Sequence, residues 1–372
     1  MAELNLRRQV DDCQPYIAGE TEAAVLKKYN LKSVVKLGSN ENPYGPYTNA
    51  RAAMKESLKY VNRYPEDDYV NLIAAIATQN GLTSKNVALG GGAGNVIETT
   101  SRLFLDEGDE VLIAKPTYRL YREVSLLMGA KVKAVPVKAD FTYDFAAFKA
   151  AITPKTKMIW LCNPNNPTGA INAPQEIERF IDEVGDKVWV VVDEAYADFI
   201  QAGQRAHLTE KLDQKKLVII RTFSKYYGLA GARVGYILAR SKVISAYDTI
   251  TEPFCVNRVG LFAARASLLL DQEEAGEIKQ KLLKEKKQLS DKLIQLGFEV
   301  TSSQSNFIFA KLPNNLSSSE TCAELMSHGV IIRECDAWGY PHHVRITVGK
   351  ETENARLITE LKKLLRVKVE EQ

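Results

Sequence analysis

The sequence has little of what would mark a secreted, membrane-bound or nucleic-acid-binding chain. Its five cysteines (Cys13, Cys162, Cys255, Cys322, Cys335) are scattered, odd in number and without a C-x-x-C pair. That spacing argues against a disulfide framework or a zinc site, so no metal is expected, and it fits a reducing cytoplasm. No apolar stretch approaches the roughly 18 residues that would cross a bilayer. Residues 1–12 are polar and charged, without the apolar segment of an export signal, so a soluble, unexported protein is expected. Surplus charge is also small: 49 Lys and Arg against 46 Asp and Glu leave +3, too little to suggest a nucleic-acid or membrane partner. No internal repeat or low-complexity segment is visible.

What is present is ordinary globular material, 45% apolar and 26% charged, in a chain of 372 residues, long enough for a large domain and a smaller one. Seven short β-rich runs, at 86–89, 110–114, 131–135, 157–161, 188–192, 217–220 and 234–238, alternate with helical stretches. They predict an α/β domain around a mostly parallel seven-stranded sheet. Residues 256–296 read as helical and charge-rich. Beyond Gly297, strands at 298–300, 306–310, 330–333 and 343–348 with helices at 319–328 and 351–365 predict a small α+β domain. The first forty residues lack this rhythm and read as an arm plus one strand at 34–37. The expected division is an N-terminal arm packing with the small domain (1–45), a large domain (46–255), and a long connecting helix with the small C-terminal domain (256–372).

Ligands of open parallel sheets bind beyond the carboxyl ends of the strands, and there the residues converge. After the first run, Gly90-Gly91-Gly92-Ala93-Gly94-Asn95 leads into a helical stretch from Val96, either a phosphate cradle or only a turn. After the second stands Tyr118, which can stack on a planar ring or simply pack. After 157–161 comes Cys162-Asn163-Pro164-Asn165-Asn166-Pro167-Thr168-Gly169, a constrained turn that can aim an amide at a ligand. Asp193, directly after a run of valines, is either a partly desolvated acid in need of a partner or a helix N-cap. Finally Thr222, Ser224 and Lys225 precede Arg233, a lysine set between hydroxyls and an arginine able to grip a phosphate. Together these describe a site for pyridoxal phosphate: a lysine for the Schiff base, an acid for the ring nitrogen, an aromatic for the ring face, amide and phenol for the ring hydroxyl.

In this order the motifs resemble the fold-type I PLP-dependent aminotransferases, and within them the histidinol-phosphate aminotransferase branch. The resemblance runs from Gln14-Pro15-Tyr16 through Ser39 to Pro46, Arg63-Tyr64-Pro65, Pro116-Thr117-Tyr118, Asn163 to Gly169, Asp193 to Phe199, Arg221 to Gly235, Pro253-Phe254 and Asn306-Phe307 to Val344 through Gly349. It implies the PLP-dependent transferase fold type I and a role for each matching residue. Lys225 carries the Schiff base and then shuttles the proton. Asp193 pairs with the ring nitrogen, Asn166 and Tyr196 with the ring oxygen, and Tyr118 covers the ring. Ala93, Gly94 and Asn95, through backbone groups, with Thr222, Ser224 and Arg233, hold the cofactor phosphate. Tyr64 reaches that phosphate from a second subunit, which implies a homodimer. Arg345 and Arg333 take the substrate phosphate, or form structural ion pairs instead, and Tyr16 lines the pocket.

The implied reaction transfers an amino group between an amine donor and a 2-oxo acid acceptor, here histidinol phosphate and 2-oxoglutarate in histidine biosynthesis. The rival readings are an aromatic amino acid aminotransferase, a threonine-phosphate decarboxylase, and a non-catalytic binding module on the same fold. The chain departs from the family pattern at Gly92-Ala93-Gly94-Asn95, where Gly-Ser-Asp-Glu is usual, at Cys255, where asparagine is common, and at Ala232, where leucine is usual. These changes leave the cofactor motifs intact and bear on the amino donor.

Overall fold

The computed structural model describes residues 6–15 and 19–370, with side chains to residue 366. Its centre is a seven-stranded sheet in the order Val87–Gly90, Gly235–Ala239, Leu217–Thr222, Trp189–Asp193, Thr156–Cys162, Glu110–Lys115, Lys131–Pro136. Only Gly235–Ala239 runs against its neighbours; the other pairings are parallel. The continuous apolar runs are explained by burial of both faces. Val190 and Val192 enter one hydrophobic cluster while Val191 enters another on the opposite face, and Ile219 is likewise separated from Val218 and Ile220.

Helices cover the sheet for legible reasons. Pro174–Val184 has proline in its first turn and Glu176 accepting the Ala173 N–H, and it buries Ile177, Phe180, Ile181 and Val184, spaced along one face. The charge-rich stretch expected as helical resolves into Arg258–Leu270 and Gln272–Gln295, divided at Asp271. The Asp271 carboxylate accepts the N–H groups of Asn49 and Ala50 at 2.9 Å each, capping the helix Thr48–Ser57.

A second sheet has the order Arg333–Glu334, His343–Thr347, Phe307–Lys311, Glu299–Val300, all antiparallel, and its apolar residues form a cluster of their own with those of Gln272–Gln295 and Glu351–Glu370. The single strand expected at 330–333 is in fact two. Val330–Ile331 pairs in parallel with Val35–Lys36, and Arg333–Glu334 belongs to the antiparallel sheet. Val330, Ile331 and Ile332 are all buried because the chain crosses from one sheet to the next there, which a short apolar run cannot reveal.

The N-terminal segment also contains a helix, Glu22–Tyr29, where only an arm and a strand were expected. The Thr21 hydroxyl caps its start and left-handed Asn30 ends it, but Val25 is its one buried residue, so it carries almost no periodic signal. Among the described residues no helix is long and apolar enough to cross a membrane.

Candidate active site

The carboxyl ends of the central strands open onto a cavity of about 240 Å³, closed on its far side by the small sheet. Ala93, Gly94, Tyr118, Asn166, Asp193, Tyr196, Thr222, Ser224, Lys225, Arg233, Arg333 and Arg345 all line it, so twelve of the residues expected to act together do stand together. Three do not. Asn95 turns its side chain back to accept the Gly91 N–H at 3.0 Å. Tyr64 is 75% exposed and stacks on Phe254, outside the cavity of its own chain. Tyr16 lies outside the described residues.

One wall is built for an anion. The helix Ala93–Phe104 begins three residues before the expected Val96, and its N-cap is Gly92, whose φ of +86° favours glycine. The first N–H groups of a helix have no partner within it. Arg233 lies across this turn so closely that a Cβ on Gly92 would stand 2.5 Å from its Nη2. Thr222 donates to Ser224 Oγ at 2.9 Å and accepts the Ser224 N–H at 3.1 Å, fixing two hydroxyls on the same wall. Helix start, guanidinium and hydroxyls together suit a phosphate dianion.

In the centre, Asp193 ends its strand only 3% exposed. Its Oδ2 accepts the Tyr121 hydroxyl at 2.6 Å and its Oδ1 the Ala195 N–H at 2.9 Å, both neutral donors. Burial pushes its carboxyl above the usual range, and the two hydrogen bonds oppose that rise. A buried carboxylate beside an open cavity, held by neutral donors, suits a ligand with a cationic N–H. The next residue, Glu194, serves the frame instead. Burial disfavours its charge, but Arg221 and Arg205, at 2.8 and 2.7 Å, hold it below the ordinary carboxylate range. That ion pair ties the Asp193 turn to the strand bearing Thr222.

The Asn163–Gly169 turn divides its labour. Asn165 is consumed internally, donating to the Pro116 carbonyl at 3.0 Å and accepting the Thr117 hydroxyl at 2.8 Å, which anchors the loop of Tyr118. Asn166 faces the cavity, its Oδ1 accepting Arg345 Nη1 at 2.7 Å, while Arg345 Nη2 donates to the Gly38 carbonyl at 2.6 Å. Tyr196 accepts from Asn40 Nδ2 at 3.0 Å.

Lys225 Nζ donates to the Ser39 carbonyl at 3.1 Å and lies 5.9 Å from the centre of the Tyr196 ring. Burial, then the positive charge of Arg345, lowers its pKa to about 8. Near that pH about half of its amine is neutral and nucleophilic, far more than for an ordinary lysine.

The opposite wall carries Arg333 and Arg345, direct partners across adjacent antiparallel strands. Both guanidinium groups lie near the Trp338 ring, at 5.8 and 5.7 Å, and Trp338 Nε1 donates to the Thr117 carbonyl at 2.8 Å. This indole joins the small sheet to the loop of Tyr118. Sequence reasoning missed it, along with Tyr121, Arg119 and Lys36, the latter two paired with Glu123 and Glu41 at the cavity's edge. Only Tyr121 had a local signal, an aromatic three residues after Tyr118 at the start of the helix Leu120–Leu127. Among the described residues no cluster of His, Cys, Asp or Glu could hold a metal ion.

A family model described as aminotransferase class I and II matches residues 32–361. The chain is 34% identical over 361 residues to the histidinol-phosphate aminotransferase of Moorella thermoacetica, covering 96% of this chain and 92% of that protein. It is 35% identical over 360 residues to the histidinol-phosphate aminotransferase of Brevibacillus brevis, covering 96% and 98%. Among solved structures, the Sinorhizobium meliloti histidinol-phosphate aminotransferase in complex with pyridoxal 5′-phosphate matches with a TM-score of 0.91, at 24% identity over 98% of this chain and 99% of that one.

Proposed function

The chain belongs to the class I and II aminotransferases, and from that membership we propose that it binds pyridoxal 5′-phosphate and moves an amino group between histidinol phosphate and 2-oxoglutarate. The observation that carries the reading is the joint placement of Lys225, Asp193 and the Gly92–Arg233 cradle around one cavity whose far wall bears two arginines. The full-length similarity to histidinol-phosphate aminotransferases supports the substrate.

When bound, the cofactor supplies an aldehyde that condenses with amines and a protonated ring that withdraws electrons from the amine-bearing carbon. The first-turn N–H groups of Ala93, Gly94 and Asn95, with Thr222, Ser224 and Arg233, hold its phosphate. Asn95 takes part through its backbone alone, since its side chain is committed to Gly91. Asp193 would keep a proton on the ring nitrogen, Asn166 and Tyr196 would hydrogen-bond the ring oxygen, and Tyr118 would cover one ring face. Lys225, as a neutral amine, would hold the cofactor through its aldehyde and, once free of it, would serve as the base that moves the substrate Cα proton. Arg345 and Arg333 grip the substrate phosphate.

The lowered pKa of Lys225 sets a pH dependence. The neutral amine is the reactive form, so the rate at which cofactor-free protein captures pyridoxal phosphate rises about tenfold per pH unit below about 8 and levels off above it. Stopped-flow absorbance between pH 6 and 10 measures this; a rate still climbing at pH 10 would mean an unperturbed lysine.

Arg345→Ala is expected to raise the KM for histidinol phosphate about 10- to 100-fold, since a charge-assisted hydrogen bond is worth roughly 1.5–3 kcal/mol. Part of that loss reflects Asn166, which gives up its partner at 2.7 Å. An unchanged KM in steady-state kinetics removes Arg345 from the substrate site.

The assembly we assign is a homodimer. Leu58, Tyr60, Val61, Tyr64, Val70 and Phe254 are exposed large apolar residues on or beside the helices Thr48–Ser57 and Glu66–Gln79, and Tyr64, unused in its own cavity, is then available to the cofactor phosphate of a second copy. Residues 46–255 are assigned to the large cofactor domain and 256–372 to the connecting helix and small domain, against which the 1–45 segment packs through Val35–Lys36. The five unpaired cysteines support a cytoplasmic site of action.

The test supplies histidinol phosphate and 2-oxoglutarate and measures glutamate formed, with threonine phosphate run in parallel for carbon dioxide release. Glutamate formation supports the proposal. Carbon dioxide from threonine phosphate without transamination replaces it with a decarboxylase.

A further inference from the structure

Tyr121 is the first residue to touch Asp193 from behind the cavity, and none of the roles assigned above uses it. Its ring is fully buried in the helix Leu120–Leu127. One face lies on Trp160, centroids 4.8 Å apart and planes within 7°, and Tyr118 meets it edge-on at 5.5 Å. Packed between these two aromatic rings, the phenol places its hydroxyl 2.6 Å from Asp193 Oδ2. The O–H can donate there only to an unprotonated oxygen, and the bond is as short as charge-assisted ones are.

We propose that Tyr121 is a positioning residue for the reaction: locked between Trp160 and Tyr118, it donates to Asp193 and holds that carboxylate ionised and aimed at the ring nitrogen of the cofactor. The inference rests on the proposed cofactor function. Its physical basis is that a buried carboxylate prefers to be neutral, and a neutral acid cannot hold a protonated ring nitrogen. The other groups around Asp193 do not substitute for the phenol. Glu194 is turned to Arg205 and Arg221, Lys225 is across the cavity on the Ser39 carbonyl, and the Cys162 thiol and Tyr143 phenol are kept neutral by burial. The Ala195 N–H serves only Oδ1. Without the Tyr121 hydroxyl, part of the binding energy of the cofactor must go into ionising Asp193.

The test is a double-mutant cycle on the affinity for pyridoxamine 5′-phosphate, which presents the same ring nitrogen but no aldehyde to Lys225, followed by its own fluorescence in cofactor-free protein. Tyr121→Phe keeps the ring between Trp160 and Tyr118 and removes only the hydroxyl. It is expected to raise Kd about tenfold at pH 7, and by more as the pH falls, since burial already raises the Asp193 carboxyl and the lost hydrogen bond no longer opposes that rise. In an Asp193→Asn background, Tyr121→Phe is expected to change Kd less than twofold, because the carboxylate through which it acts is gone. An unchanged Kd in the single variant overturns the inference, as does an equal loss in both backgrounds, which would mark Tyr121 as packing only. If the unsubstituted protein itself fails to bind pyridoxamine phosphate, the cofactor assignment falls, a result distinguishable from either of these.

Discussion

Lys225→Ala is expected to abolish the visible absorption band of the cofactor-bound protein and to slow amino transfer by about 10⁴-fold or more, while the chain remains folded. The magnitude follows from the two duties placed on one amine: as nucleophile it captures the aldehyde, and as general base it moves the Cα proton, a step alone worth roughly 10²–10⁴-fold. The fold is expected to survive because Nζ makes one hydrogen bond, to the Ser39 carbonyl, and packs beside the Tyr196 ring at the edge of a cavity. Absorbance spectra and single-turnover rates check the loss, and circular dichroism checks the fold. A variant that keeps transaminase activity would remove Lys225 from the chemistry.

Asp193→Asn is expected to lower kcat by roughly two to three orders of magnitude with cofactor still bound. The amide matches the carboxylate in shape; its single oxygen can still accept the Ala195 N–H, and the Tyr121 hydroxyl can turn to accept from the NH₂ that replaces Oδ2. What is lost is the negative charge, buried where partnered ions are worth roughly 3–5 kcal/mol when one partner is removed. Asparagine cannot keep a proton on the ring nitrogen, and its own N–H group opposes one. Because the phosphate cradle at Gly92, Thr222, Ser224 and Arg233 is untouched, the cofactor remains held. A pre-steady-state comparison of Cα deprotonation rates is the measurement; a rate within threefold of the unsubstituted protein contradicts the role.

The strand-end wall of the cavity was legible in the sequence because its residues follow strands whose apolar runs are continuous. Asp193, Asn166 and Lys225 are fixed by local order: a strand ends, and the next few residues face the cavity. The opposite wall was only partly legible. Arg333 and Arg345 could be named, but their adjacency depends on antiparallel register, and their shared neighbour Trp338 depends on a bond to the Thr117 carbonyl across 221 residues. The same holds for Tyr121, whose partner Asp193 lies 72 residues away on another strand. Asn95 shows the converse: a residue read as part of a phosphate cradle spends its side chain holding the turn that forms it. In the fold, what the sequence concealed were elements with few buried residues, such as Glu22–Tyr29, and changes of sheet within one apolar run, as at Val330 to Arg333.

The central claim, an amino transfer supported by Lys225 and selective for a phosphorylated donor, is tested most directly by the half-reaction. Holoenzyme is mixed separately with histidinol phosphate, glutamate, phenylalanine and tyrosine, and the decay of the visible cofactor band is followed. Bleaching is expected with histidinol phosphate and with glutamate, fastest with histidinol phosphate, and slowed for both by Arg345→Ala. Faster bleaching by phenylalanine or tyrosine would contradict the donor assignment, and a band that no amine bleaches would contradict the catalytic reading altogether.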